Sequence, residues 1–175
     1  MATYRLCDEL RPIMEEAMSR FHSQLQEAGV RIGLLEALAK RNQHGEPQGP
    51  AIRHHGYPAA AVIKINSLKD RVEGKPDATI VIDGDRRGEW SNARLLALFD
   101  HELCHVQLDV DDSGNVILDD ANRPKLRHVP HDAEVGVFWC VVDRHKGLAF
   151  ETDSFAEINK QFRQMEFPWR DGLNG

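Results

Sequence analysis

One short stretch constrains this chain more than any other: Asp100-His101-Glu102-Leu103-Cys104-His105, an H-E-x-x-H inside a run of helical periodicity. Ser91 is a natural N-cap, and Leu95, Leu96, Leu98, Phe99, Leu103 and Val106 form one apolar face, which predicts a helix from 91 to about 108. Residues i and i+4 of a helix stand one above the other, so His101 and His105 can bind one Zn²⁺ at about 2.0–2.1 Å each. Glu102 then lies close enough to act as general base on a metal-bound water, whose pKa the metal lowers towards about 7. A shuffled chain of this composition would contain the pattern only about 0.03 times. Buried polar groups are costly unless paired, and a metal is the simplest partner for this trio.

The rest of the composition narrows the setting. The chain has 175 residues, 41% hydrophobic and 29% charged, enough for one domain with a full core. No apolar run approaches the 18 or more residues of a membrane span. Acids stand where a secretory signal keeps its apolar segment, so a cytoplasmic location is expected. Cys7, Cys104 and Cys140 form no CxxC and cannot pair evenly, which suits a reducing compartment. The net charge of −6 argues against unaided grip on nucleic acid. Nine His are a surplus for this length.

The chain reads as α+β rather than alternating βαβ. A helix is predicted over 5–28, stopped by Gly29. Residues 30–38 suit strand or helix, and 41–58, rich in Pro, Gly and His, reads as a loop with His44, His54 and His55 solvated. Strands are expected at 59–65 and 78–83, a hairpin at 109–119, a second helix over 131–146 closed by Gly147, and a last helix from Asp153 or Ser154 to about Glu166. The units are thus an N-terminal helix (1–29), the loop, a core (59–146), and a C-terminal helix and tail (147–175), all in one domain.

A catalytic zinc usually takes three protein ligands. The long H-E-x-x-H-x-x-G-x-x-H form fails, because Leu108 and Asp111 stand at its Gly and last His. Asp109 is two helical turns, about 12 Å, from His101, too far unless the helix breaks early. His128, His131 and Glu134 remain, and His131 and Glu134, three apart, could both face the first helix.

The run Leu95-Leu-Ala-Leu-Phe-Asp-His-Glu-Leu-Cys-His-Val106, then a short hairpin, then Pro130-His131-Asp132-Ala133-Glu134 with Phe138 beyond, resembles the SprT-like and WLM-like minimal zincins. Above all it resembles the metallopeptidases of phage and prophage genomes. The resemblance spans about residues 60–146 and includes Pro76-Asp77-Ala78-Thr79-Ile80-Val81-Ile82. It implies a zincin-like fold, a small mixed sheet packed on the H-E-x-x-H helix. It also implies a zinc peptidase acting on a protein or peptide, with a His that opens the second helix, here His131, completing the site ahead of Glu134. Val135-Gly136-Val137 departs from the pattern. The Cys-rich ribbon and basic segments of SprT-type proteins are missing, so a DNA-repair role is not implied.

Other residues carry weaker signals. Asp100, Asp132 and Glu134 are candidates to orient a ligating His. His128, Arg127, His145 and Tyr57 are candidates to stabilise an oxyanion. Cys104 reads as a small buried hydrophobe. Residues 109–120 match much of an EF-hand loop, but prolines follow where a helix is required, so a hairpin is preferred. The main alternative to a peptidase is a catalytically silent zincin-fold protein that uses zinc structurally and binds a phage or host partner. Metal-assisted hydrolysis of another bond is a third reading.

Overall fold

The computed structural model describes residues 2–132, 137–153, 155 and 156. A mixed α+β arrangement is built on four strands in the order β1 (Thr3–Leu6), β2 (Ile32–Leu38), β6 (Ala78–Asp83), β5 (Ala61–Ile65). β1 is antiparallel to β2, β2 is parallel to β6, and β5 runs antiparallel to β6 as an edge. Leu34, Ile80 and Ile63 lie side by side in the register of β2, β6 and β5.

One face of this sheet is covered by α1 (Arg11–Phe21), α2 (Ser23–Glu27) and α4 (Asn92–Cys104). Their apolar stripes meet in one core: Met14, Ala17, Met18 and Leu25 against Leu34, Ile80, Ile82, Leu95, Leu98, Phe99 and Leu103. Each large side chain buried here contributes about 1.5–3 kcal/mol relative to exposure. Phe99 and Leu103, both fully buried, set the rotation of α4, and so determine which way His101, Glu102 and His105 point.

Several expectations change. The predicted helix over 5–28 begins only at Arg11, because Pro12 lacks the N–H that an interior turn needs and suits a first turn. Residues 3–6 pair instead with β2, leaving Leu6 72% exposed. The helix also breaks at His22 (φ −136°, ψ 41°), which separates α1 from α2. Gly29, at φ 73°, ends α2 as expected. The ambiguous 30–38 run becomes a strand because β6 and β1 complete its backbone pairing from either side. A short α3 (Leu68–Val72), capped by Ser67, follows β5.

The 41–58 segment contains a tight hairpin of β3 (Arg53–His54) and β4 (Tyr57–Pro58), turned by His55 (φ 48°) and Gly56 (φ 86°). Both central residues lie in the left-handed region, as a two-residue turn between antiparallel strands requires.

The helix carrying the H-E-x-x-H is shorter than predicted, ending at Cys104 with His105 as its C-cap. The chain then turns directly into β7 (Val106–Leu108), which pairs with β8 (Leu126–His128) as a separate two-stranded ribbon. The hairpin expected at 109–119 does turn back on itself at Ser113-Gly114, but it is not part of the four-stranded sheet. The ribbon arms lie outside the hairpin, and 109–125 folds back through the bridges Val110–Val116 and Leu118–Pro124. Asp109 pairs with Lys125 and Arg127, Asp111 accepts backbone N–H groups of its own turn, and Asp119 pairs with Arg71. Three of the five acids of the EF-hand-like run, Asp109, Asp111 and Asp119, are thus engaged separately.

The second helix, expected from His131, is α5 (Trp139–His145). His131 and Asp132 are not helical and Phe138 is extended. Asp132 accepts the Trp139 N–H at 3.0 Å, so it acts as a cap one loop away. The left-handed residue closing α5 is Lys146 (φ 51°) rather than Gly147. Helical turns occupy 150–153, so the last helix starts before the expected Asp153 cap, and Asp153 pairs with Arg94. Glu134, Gly136, Ser154 and the stretch 157–166 of that predicted helix lie outside the described residues.

Candidate metal centre

His101 and His105 project from the last turn of α4, and His131 comes from the loop after β8. Each offers one ring nitrogen, and these atoms all lie within 4.8 Å of one another. The Nε2 atoms of His131 and His101 are 3.2 Å apart. Two nitrogens bound at about 2.0–2.1 Å to one tetrahedral ion stand about 3.3 Å apart. The same contact is met by an N–H of one ring donating to the bare nitrogen of the other, or by a metal ion bound to both.

The outer nitrogens are held from behind. Nδ1 of His105 donates to the Val129 carbonyl at 2.8 Å, which leaves its Nε2 free. Nδ1 of His101 meets Oε1 of Glu151 at 2.7 Å. Glu151 is 3% exposed, and its second oxygen has no hydrogen-bond partner among the described residues. A carboxylate behind a metal-facing imidazole fixes the tautomer and raises the basicity of the other nitrogen. The donor set therefore fits a divalent ion that accepts imidazole nitrogen.

Burial favours the neutral form of two of the three imidazoles. Burial pulls the His105 pKa down to about 4, with His101, His131 and His128 adding repulsion. Burial and His101 lower His131 as well. Burial also opposes charge on His101, but the Glu151 hydrogen bond and the charges of Glu102, Glu151 and Asp100 outweigh it, and its pKa rises. Glu102 is buried on the same turn, and burial pushes its carboxyl up to about 7 against the pull of His101 and of the Ile63 backbone hydrogen bond. Phe138 closes the floor, with its ring centroid 4.8–5.3 Å from all three imidazoles.

The other sequence candidates separate. His128 stacks on His105 with centroids 4.9 Å apart, at the site. Tyr57 is 76% exposed on the 53–58 hairpin, while the neighbouring His54 lies near enough to repel charge on His131. Arg127 turns to Asp109. His145 binds Asp100 Oδ2 at 2.9 Å, and His22, expected to be incidental, is buried and binds Asp100 Oδ1 at 2.7 Å. Asp100 thus orients His22, His145 and Arg144 rather than a ligand of the triad. Cys104 is only half-buried, and its sulfur meets Asp100 and Cys140.

Glu151 was not among the sequence candidates. It follows Phe150 in a segment with no motif, 50 residues from His101, and only a search for an acid able to reach the motif from the C-terminal region could have raised it.

Among the described residues, no helix is long and apolar enough to cross a membrane. No curated protein and no solved structure matches the chain. A family model described as "Putative phage metallopeptidase" matches residues 2–165, nearly the whole chain and well beyond the motif, so the protein belongs to that family.

Proposed function

We propose that this protein is a zinc-dependent peptidase in which His101, His105 and His131 hold the ion and Glu102 is the general base. The observation that carries this reading is the convergence of three imidazole nitrogens beside a buried glutamate on the same helical turn. With Nδ1 of His105 committed to Val129 and Nδ1 of His101 to Glu151, their Nε2 atoms are the ones left to face an ion. A bound zinc ion supplies Lewis acidity and makes water a nucleophile at neutral pH.

The chain's own residues do the rest. A Glu102 carboxylate oxygen accepts the proton of the attacking water. It returns that proton to the amine nitrogen as the peptide bond breaks. The burial of Glu102 keeps bulk water from that oxygen. We assign to His128, which stacks on His105, the stabilisation of the carbonyl oxygen as charge develops there.

The test is cleavage of a mixed peptide library by the zinc-loaded protein, read by mass spectrometry. New termini should appear with wild type, and be absent with chelated protein and with Glu102→Gln that still carries its ion. Equal cleavage by Glu102→Gln would overturn the assignment.

A further inference from the structure

Between the two histidines of α4 stands Cys104, and the first turn of α5 carries Cys140. Their sulfurs are 3.7 Å apart, although 36 residues separate them in sequence. Cys140 is exposed, Cys104 is half-buried, and both line a groove with Phe21, His22, Val129 and Arg144. The third cysteine, Cys7, is fully buried beside Glu36 in a different part of the core.

A metal does not account for this pair. The nearby carboxylate, Asp100, already receives the Arg144 guanidinium on both oxygens, which places a fixed cation where a second ion would have to sit. Covalent closure needs little movement. A disulfide is about 2.05 Å long, so the sulfurs must approach by about 1.7 Å. An exposed side chain on the first turn of a seven-residue helix can supply that movement.

We propose that Cys104 and Cys140 form a reversible disulfide that staples α5 to the helix bearing His101 and His105. The reaction needs a two-electron oxidant, and glutathione disulfide is one such reagent. The exposed sulfur of Cys140 attacks it, expelling one glutathione thiol and leaving a mixed disulfide. The Cys104 sulfur then attacks the Cys140 sulfur, and the second glutathione departs as thiol. Two protein thiols and one glutathione disulfide become one protein disulfide and two glutathiones, which take up the two protons. The loop so closed contains β7, β8 and His131. Oxidation therefore restricts the unfolded state of the segment that delivers the third histidine.

The experiment uses the full-length protein, reduced, desalted and exposed to glutathione disulfide, and does not depend on peptidase activity. Thiols alkylated after denaturation should fall from the three cysteines present to one, Cys7. Non-reducing peptide mapping should show the Cys104–Cys140 link in a monomer, and the melting temperature should rise by about 5 °C or more and return with dithiothreitol. Cys140→Ser, at an exposed position, should abolish both the link and the rise. A persistent glutathione adduct on Cys140, a Cys140-linked dimer, an unchanged thiol count, or loss of two thiols in Cys140→Ser would each overturn the proposal.

Discussion

Two groups of histidines flank the same helical turn, and they are built on opposite principles. His101, His105 and His131 face one another, with two ring nitrogens 3.2 Å apart and no acid between them. One step round α4, His22 and His145 face a single carboxylate, Asp100, which also takes Arg144 and is fully buried. The second group is electrically complete, since its anion meets its donors. In the first, imidazole nitrogens face one another with no carboxylate among them. Residue type is the same in both, and what the rings face distinguishes a candidate metal centre from a brace around an anion.

This contrast can be broken most directly by removing the base. Glu102→Gln should lower peptide cleavage by about 10²–10⁴-fold while metal content, read by elemental analysis, stays stoichiometric. Removing one member from each histidine group should then separate them. His131→Ala should lose stoichiometric metal with little change in the metal-free protein's melting. Asp100→Ala should keep the metal but destabilise the fold by about 3 kcal/mol, because Arg144 and two buried imidazoles lose their acceptor. Metal retained at full stoichiometry in His131→Ala would mean that the triad is not the ligand set.

A smaller effect is expected behind the triad. Glu151→Gln keeps the shape but loses the charge that supports His101, and should weaken metal affinity about 10–100-fold in a chelator competition. The smallest effect concerns a thiol far from the site. Burial and the adjacent Glu36 push Cys7 from 9.0 up to about 11. A raised thiol pKa favours the protonated, folded form. That contribution is fully present below pH 9 and fades as pH rises towards 11. Urea denaturation of Cys7→Ala should show a flatter alkaline limb than wild type over that window.

How much of this was legible along the chain depends on the range of the interaction responsible. The H-E-x-x-H and the helix carrying it were visible because i, i+4 stacking and apolar periodicity are local. Strand β6 was visible because Ala78-Thr-Ile-Val-Ile-Asp83 has β-branched residues in a short bounded run. The error at the N-terminus came from a true periodicity overridden by Pro12 and by pairing with β2. Predicting α4 through Leu108 missed its end at His105, where pairing between β7 and β8 takes over the backbone. His22 looked incidental because its partner lies 78 residues away, and Glu151 was invisible because its partner lies 50 away.

By itself, then, the sequence determined which two histidines share a helical face, which glutamate stands between them, and that the chain mixes helix with short β-branched strands. These follow from the geometry of one helix turn and one pleat, and need no other part of the chain. The tertiary structure alone decided what surrounds each of the remaining histidines. It brought His131 to the triad, set Glu151 behind His101, turned His22 and His145 to Asp100, and placed Cys140 beside Cys104. Each of those choices is a charge or a contact satisfied across dozens of residues, and its energy exists only once the core has closed.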